Sequence, residues 1–230
     1  MTASICSFID LEGVLAPEMW PHLAKAFGIP ELQATTREIP DYRQLLDQRI
    51  KHLSDHHVTL AEICASVAEL DLFNGAVEFL AALKLRGRVV IVSDSFSPMN
   101  RHFIEQIAAD QVLCHNFQTN DEDIVTGFDF WNGLAGKHLC FDAVDTEGSA
   151  HFAMGDALND ISMIRAATYG VLFQPSMATL LAAPDLRATS SYSEVLDVLD
   201  EAIISIADRP QRGPRLSSEV HSADGVYGHT

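Results

Sequence analysis

The feature that most constrains the fold is a series of short apolar segments that end in acidic residues. The three clearest lie at residues 4–11 (SICSFIDL), 88–94 (RVVIVSD) and 149–156 (SAHFAMGD). Near-continuous apolar runs of this length are typical of parallel strands that are buried on both faces. The pattern therefore predicts buried strands with Asp10, Asp94 and Asp156 at their carboxyl ends.

Helical patterns alternate with these segments along the rest of the chain. The spacing of apolar residues predicts helices at residues 75–85, 98–109, 137–144, 159–167, 177–182 and 192–207. Two further strands are predicted at residues 112–115 and 170–173, and a small hairpin within residues 123–130. This alternation predicts an α/β fold with a doubly wound, mostly parallel sheet and right-handed crossovers.

A long helical insertion follows the first predicted strand. Residues 18–70 have helical periodicity, and Pro30 and Pro40 divide them into short helices. Ordinary crossover connections are much shorter, so we interpret the insertion as a cap over the carboxyl edge of the sheet. The predicted division is a core at residues 1–15 and 75–209, a helical cap at 16–74, and a disordered tail at 210–230, which is polar and rich in Pro, Gly and Ser.

An excess of acidic residues limits the classes of partner. The chain has 15 Lys and Arg residues against 32 Asp and Glu residues, which gives a net charge of −17 at pH 7. This charge repels nucleic acid phosphates and anionic lipid, so we expect neither nucleic acid nor a membrane as a partner. A small anionic substrate would need local positive charge, from a metal ion or from particular Lys and Arg side chains.

The cysteines and the first residues predict a cytoplasmic protein. The four cysteines form no CxxC pair and lie in apolar stretches, which is typical of free core thiols in a reducing compartment. No basic leader precedes the first apolar segment, and no stretch approaches the roughly 20 apolar residues of a membrane span. The sequence leaves the oligomeric state open, and a homodimer is compatible with it.

Four fragments carry the candidate chemistry. They are DLEGVL at residues 10–15, VSDS at 92–95, the isolated Lys137, and GDALND at 155–160. In this order, with a helical insertion after the first, they resemble the four motifs of the haloacid dehalogenase superfamily of phosphatases. The resemblance implies a Rossmann-like core, a small cap inserted after the first strand, and a phosphorylated aspartate as the reaction intermediate.

The residue types in these fragments suit phosphoryl transfer. A carboxylate nucleophile and a phosphomonoester are both anionic, so the site must neutralise charge and hold the reactants in line. Asp10 and Asp156 would share one Mg²⁺, which prefers oxygen ligands, and Asp10 would attack phosphorus. Ser93 would donate to a phosphoryl oxygen and Lys137 would supply positive charge. Asp160 would hold a metal-bound water or pin the Lys137 ammonium.

Glu12 departs from the Asp-x-Asp pattern that is common in the superfamily. The resemblance assigns its backbone carbonyl to the metal. Its carboxyl group would protonate the departing oxygen and later take a proton from water. Glutamate reaches one methylene further than aspartate, so the sequence leaves two phosphoryl acceptors open, namely water and an alcohol.

Three segments narrow the resemblance. Residues 10–20, 34–42 and 155–163 are similar to the phosphoserine phosphatase group, and within it to the bifunctional phosphoserine phosphatase/homoserine phosphotransferase branch, which also carries Asp-x-Glu in its first motif. Residues 110–150 match poorly, so Lys137 is placed by order and spacing. Lys84, which precedes the second motif, is a weaker rival for the same role.

The resemblance also implies residues that recognise the substrate. Arg49 falls at the family's carboxylate-binding arginine, and a guanidinium fork suits a carboxylate. Arg37 is a second candidate for this contact. Glu18 would accept a hydrogen bond from the substrate ammonium. On the phosphoryl side the candidates are Asp94 and Asn159, although Asn159 has the alternative role of capping its helix.

The leading hypothesis is Mg²⁺-dependent hydrolysis of phosphoserine, as in serine biosynthesis, with transfer of the phosphoryl group to homoserine as an additional activity. Another small amino-acid or sugar phosphate is an alternative, because cap residues select the substrate and core residues the reaction. The non-enzymatic alternatives are a receiver-like module and a phosphate-metabolite sensor. Receivers lack the long helical insertion, and the full set of catalytic residue types argues against a sensor.

Overall fold

One mixed sheet organises the protein. The computed structural model describes residues 5–146 and 148–208, and the strands in these residues form one sheet in the order β4-β3-β2-β1-β5-β6-β7. They are β1 (Ile5–Ile9), β2 (Gly87–Phe96), β3 (Gln111–Thr119), β4 (Val125–Asp129), β5 (Ala150–Gly155), β6 (Tyr169–Phe173) and β7 (Ala188–Thr189). Neighbouring strands are parallel except for β3 and β4. The predicted α/β fold is therefore confirmed, while the tail predicted at 210–230 lies outside the described residues.

Helices connect the strands. They are α1 (Met19–Phe27), α2 (Tyr42–Asp55), α3 (Leu60–Val67), α4 (Ala76–Lys84), α5 (Ser97–Ile104), α6 (Cys140–Ala143), α7 (Ile161–Ala166), α8 (Met177–Ala182) and α9 (Tyr192–Ala207). Short 3₁₀ helices lie at Pro30–Gln33, Lys137–Leu139 and Leu158–Asp160. Local signals fix several ends: the Asp41 side chain caps α2, Thr59 and Glu62 form a capping box at α3, and Gly28 ends α1 in the left-handed conformation.

Two segments differ from the sequence prediction. The hairpin predicted within residues 123–130 is wrong, because this segment supplies one strand, β4, whose antiparallel partner is the longer strand β3. The predicted helix at 137–144 is a 3₁₀ turn followed by the four-residue helix α6. Periodicity over a few residues cannot identify the pairing partner of a strand, because that partner is chosen by long-range contacts.

Strand β2 carries a bulge at its carboxyl end. It pairs with β3 through Val92↔Leu113 and next through Phe96↔His115. Between these two pairs β2 advances by four residues and β3 by two. The residues in between, Ser93 to Ser95, leave the regular ladder. Bulges re-aim side chains at sheet edges and next to active sites. The bulge therefore turns the second polar strand end toward the edge where β1 and β5 also end.

The first three helices share a buried hydrophobic core with the sheet. Leu23 of α1, Leu46 of α2 and Val67 of α3 belong to the same buried hydrophobic cluster as Ile9 and Phe96. Because one cluster spans both parts, the division of the chain at residues 16 and 74 stays a prediction. None of the helices within residues 5–146 and 148–208 is both long and apolar enough to span a membrane.

Candidate active site

The candidate site lies at the carboxyl ends of β1 and β5, where the strand order reverses. Strand β1 is flanked by β2 on one side and by β5 on the other, so the chain builds the sheet from β1 toward β4 and later continues on the other side of β1 from β5 to β7. Such switch points form crevices at the carboxyl edge of a parallel sheet. Asp10 follows β1 directly and its backbone N–H donates to Met154 O of β5 over 3.0 Å. The fold thus places Asp10 in this crevice.

Three carboxylates converge there. Asp10, Asp156 and Asp160 each offer one oxygen, and these oxygens all lie within 4.8 Å of one another. Gly13 makes room for this cluster, because a Cβ at Gly13 would lie only 2.6 Å from the carboxylate atoms of Asp156. A set of hard oxygen donors fits a divalent cation such as Mg²⁺. These residues therefore fit the metal site that the motifs predict.

Lys137 is the buried cation of the site. Its side chain is 2 % exposed, and Nζ lies 2.7 Å from Asp10 Oδ1, 2.7 Å from Asp160 Oδ1 and 4.0 Å from Asp94 Oδ2. Burial disfavours the ammonium, but Asp10, Asp160 and Asp94 outweigh it and hold the pKa of Lys137 above its usual value. The rival Lys84 pairs instead with the partly exposed Asp110. The geometry thus places Lys137, and not Lys84, beside Asp10.

Backbone donors fix the acid that holds Lys137. Asp160 Oδ2 accepts hydrogen bonds from the backbone N–H groups of Asp156 and Ala157, each over 3.0 Å. Its other oxygen is thereby turned toward Lys137. Because the Asp160 side chain is completely buried, this arrangement is rigid. The contact with Lys137 is one of the two roles predicted for Asp160.

Burial changes the acidity of the clustered carboxyl groups. Burial and the nearby Asp160 carboxylate raise the pKa of Asp10 well above its usual value, against the opposing effect of Lys137. Burial and Asp160 also raise the pKa of Asp156, to about 7. Both pKa values are raised for the same reason, because several carboxylates lie close together in a buried site. A divalent cation would favour the ionised form of both groups.

Glu12 lies apart from the metal-type cluster. Its Oε1 accepts a hydrogen bond from the backbone N–H of Met19 over 2.7 Å, at the first residue of α1. Carboxylates are stabilised at helix N-termini by the unpaired N–H groups and the helix dipole. Burial, with a smaller contribution from Glu18, nevertheless raises the pKa of Glu12 to about 8. Glu12 thus links the loop after β1 to the first helix of the insertion.

The bulge in β2 supplies further polar groups at the carboxyl edge of the sheet. Ser93 Oγ and Ser95 Oγ form a 2.6 Å hydrogen bond, and Ser95 Oγ donates to Asn100 Oδ1 over 2.7 Å. Asn159 Nδ2 donates to Asp94 Oδ2 over 2.8 Å, which joins the second motif to the fourth. The structure therefore brings Ser93, Asp94 and Asn159 to the same edge as Asp10.

The predicted substrate-binding residues of the insertion lie nearby. Arg49 is 7 % exposed, donates from Nη2 to Ala34 O over 2.7 Å, and stacks its guanidinium 4.5 Å above the Trp20 ring. Its Nε has no hydrogen-bond partner among the described residues. Glu18 is exposed directly before α1, and Arg37 is exposed as well. Arg49 is thus the buried one of the two candidate arginines.

Two residues around the site lie outside the four motifs of the sequence analysis. The Tyr42 hydroxyl donates to the backbone carbonyl of Asp94 over 2.7 Å, which connects α2 to the bulge. The buried ring of His115, on β3, lies 3.8 Å from the Asp94 carboxylate. His115 falls in the segment where the sequence resemblance is weakest. The only sequence signal that would find it is its place in an apolar strand.

Fold and site together define a Rossmann-like enzyme with acidic and basic groups gathered at the carboxyl edge of its sheet. A sequence model of the family described as haloacid dehalogenase-like hydrolase matches residues 16–165. The chain belongs to this family and is therefore a hydrolase. The matched range includes Ser93, Lys137 and the GDALND segment, and it begins after Asp10.

Two bacterial proteins resemble the chain over most of its length. "Phosphoserine phosphatase ThrH" of Pseudomonas aeruginosa is 34 % identical over 194 residues, which is 81 % of this chain and 91 % of that protein. "Phosphoserine phosphatase" of Pseudomonas syringae pv. tomato is 35 % identical over 194 residues, or 81 % of this chain and 78 % of that protein.

Solved structures with the same fold carry related names. A crystal structure of phosphoserine phosphatase in apo form superposes with a TM-score of 0.71 at 20 % identity and covers 84 % of this chain and 98 % of that one. A phospho-aspartyl intermediate analogue of phosphoserine phosphatase has a TM-score of 0.69 at 19 % identity and covers 85 % and 98 %. At these identities the superpositions establish the fold.

Proposed function

We propose that the protein is a Mg²⁺-dependent phosphatase that forms an aspartyl phosphate on Asp10 and acts on phosphoserine. The observation that carries the proposal is the convergence of carboxylate oxygens of Asp10, Asp156 and Asp160 within 4.8 Å of one another, with the buried ammonium of Lys137 beside Asp10 and Asp160. The names of the two Pseudomonas relatives support phosphoserine as the substrate. The insertion at 16–74 would act as the cap that selects it.

The proposed reaction has two displacements at phosphorus. In the first, a carboxylate oxygen of Asp10 bonds to phosphorus while the ester oxygen leaves and takes a proton from the Glu12 carboxyl group. In the second, Glu12 takes a proton from water, whose oxygen bonds to phosphorus and releases Asp10 and inorganic phosphate. Ser93 and Asn159 would donate hydrogen bonds to the phosphoryl oxygens, and Lys137 would balance their charge.

The residues that would hold Mg²⁺ are Asp10, Asp156 and Asp160, with the backbone carbonyl of Glu12 as a further ligand expected from the resemblance. Bound there, the ion would supply positive charge that screens the nucleophile from the phosphoryl group. This charge is needed locally, because the chain as a whole carries a net charge of −17 at pH 7.

Glu12 is also the basis for proposing homoserine as a second acceptor. Its carboxyl group is tied to the N-terminus of α1 through Met19 N–H, so its position depends on the insertion. An alcohol in the cap would present its hydroxyl to the same carboxylate that activates water. The chemistry is unchanged, since the alcohol oxygen bonds to phosphorus and its proton goes to Glu12.

Arg49 and Glu18 would bind the amino-acid part of the substrate. The Nε donor of Arg49 has no hydrogen-bond partner among the described residues, and the Trp20 ring holds its guanidinium plane. A planar cation with a free donor suits a carboxylate. Glu18, exposed at the start of α1, would accept from the ammonium. The partner is then a small phosphorylated metabolite; a homodimer and a cytoplasmic location stay predictions.

A panel of phosphate esters tests the proposal directly. Phosphate release would be measured with Mg²⁺ and with EDTA, on phosphoserine, phosphothreonine, sugar phosphates and an aryl phosphate whose aryl group is uncharged. We expect the highest kcat/KM for phosphoserine and no turnover in EDTA. Addition of homoserine should produce phosphohomoserine. A preference for another ester would redirect the substrate assignment, whereas binding of esters without any turnover would favour the sensor.

Replacing Arg49 by Ala should raise KM for phosphoserine at least about tenfold, the loss expected for a buried charge-assisted hydrogen bond. KM for an aryl phosphate whose aryl group is uncharged should change less than about threefold, because that ester has no carboxylate. Arg37→Ala, at the other candidate arginine, is the matched comparison, and we expect it to change neither value. Equal effects of Arg49→Ala on both esters would remove Arg49 from substrate recognition.

A further inference from the structure

A buried histidine faces the second motif from the neighbouring strand. His115 is 1 % exposed on β3 and pairs with Phe96 directly after the bulge that contains Asp94. Its Nε2 lies 3.8 Å from Asp94 Oδ1 and has no hydrogen-bond partner among the described residues. We infer that His115 is a positioning residue for the phosphoryl-transfer site, which orients the Asp94 carboxylate by donating a hydrogen bond from Nε2.

The other ring nitrogen fixes the tautomer. The backbone N–H of Trp131 donates to His115 Nδ1 over 3.4 Å, so Nδ1 must offer a lone pair. The proton of a neutral imidazole then resides on Nε2, which makes Nε2 a donor. The ring is neutral at ordinary pH, because burial lowers the pKa of His115 to about 4. His115 therefore presents an N–H group, and not a positive charge, to Asp94.

Packing alone does not account for a histidine here. The ring is surrounded by Phe96, Phe130 and Tyr42, with ring centroids at 5.6, 4.8 and 6.3 Å. In such surroundings an unsatisfied N–H is unfavourable, and an apolar side chain would fill the space without that penalty. A movement of about 0.8 Å would bring Nε2 to normal hydrogen-bond distance from Asp94. Asp94 thus offers this donor a carboxylate acceptor within reach.

Asp94 is the point at which this hydrogen bond would affect chemistry. Its Oδ2 accepts from Asn159 over 2.8 Å and lies 4.0 Å from Lys137 Nζ. Its backbone carbonyl accepts from the Tyr42 hydroxyl of α2. If Oδ1 is held by His115, Oδ2 is fixed toward the groups that would contact the phosphoryl oxygens. Loss of His115 should then disturb the transferred group more than the binding of the substrate.

The kinetic test rests on the proposed function and compares two variants of similar size. His115→Leu removes the donor, and we expect kcat for phosphoserine to fall about 10- to 100-fold with KM nearly unchanged, as for loss of a hydrogen bond to a charged group. In His115→Gln the amide nitrogen reaches the place of Nε2, so kcat should return to within about threefold of the wild type. Equal losses in both variants with unchanged melting temperatures would overturn the inference.

A double-mutant cycle identifies the partner. In an Asp94→Ala background, which removes the acceptor, the His115→Leu change should lower kcat by less than about threefold, because residues that act through each other are not additive. Full additivity of the two losses would show that His115 does not act through Asp94. His102→Leu is the control for the chemistry of the substitution, since this histidine lies on α5 outside the site and its loss should leave kcat unchanged.

A spectroscopic test is independent of turnover. With ¹⁵N-labelled histidine, the His115 ring should give the nitrogen shifts of a neutral, Nε2-protonated imidazole, and Asp94→Ala should shift the Nε2 and Nε2–H resonances. The absence of any change on Asp94→Ala would overturn the inference even if the wild type hydrolyses phosphoserine. Conversely, the expected shift would support it even if every ester in the panel fails, which keeps the two proposals separable.

Discussion

Replacing Asp10 by Asn is expected to lower phosphate release at least about 10⁴-fold, because an amide is not a nucleophile and no covalent phosphoenzyme can form. Asn keeps the size and one acceptor oxygen of Asp10. The hydrogen bond that Asp10 Oδ1 accepts from Leu11 N–H over 2.8 Å can therefore persist. The fold should be retained, and the loss should appear in kcat.

Two measurements check this result. Phosphate release from phosphoserine gives the rate, and mass spectrometry of acid-quenched protein gives the phosphoenzyme, which should be present in the wild type and absent in Asp10→Asn. Asp197→Asn, on the exposed face of α9, makes the same chemical change away from the site and should leave both readouts unchanged. A folded Asp10→Asn protein that keeps more than about 1 % of the wild-type rate would refute Asp10 as nucleophile.

Replacing Lys137 by Met is expected to affect both stability and activity. Its ammonium lies within 4.0 Å of three carboxylates, namely those of Asp10, Asp160 and Asp94. Removal of one partner from a buried ionic group leaves uncompensated charge and costs about 3–5 kcal/mol of stability. Loss of the positive charge at the phosphoryl group should lower kcat about 10²- to 10³-fold. Met fills a similar volume, so a cavity contributes little.

Urea unfolding and phosphate release measure these two effects. The matched control is Lys84→Met, because Lys84 was the rival candidate and its side chain is 32 % exposed in a surface pair with Asp110. A surface pair contributes at most about 1 kcal/mol, and this variant should keep its activity. If Lys84→Met loses activity and Lys137→Met does not, the two assignments must be exchanged.

The carboxyl-edge acids illustrate what local sequence can determine. Three apolar runs that end in Asp10, Asp94 and Asp156 predict parallel strands, because short, near-continuous apolar runs are typical of strands buried on both faces. Parallel strands bring their carboxyl ends to one edge, so the acids had to converge in any fold of this class. The resemblance to the haloacid dehalogenase motifs then indicated that Lys137 and Asp160 join them.

The contact between His115 and Asp94 illustrates what local sequence could not determine. His115 reaches Asp94 because β3 pairs with β2 across a two-residue bulge, and a shift in this register would point its ring elsewhere. The same holds for β4, whose partner was predicted wrongly. Pairing and register depend on contacts between distant segments, which periodicity along one segment does not contain.

By itself, the sequence determined the fold class and the acid-tipped strands, because these follow from periodicity and from the geometry of a parallel sheet, and its resemblance to known motifs indicated the other residues gathered at the strand ends. Only the tertiary structure decided that Glu12 binds the first N–H group of α1 and that His115 faces Asp94. Both contacts join segments whose relative position is fixed by the packing of the whole core.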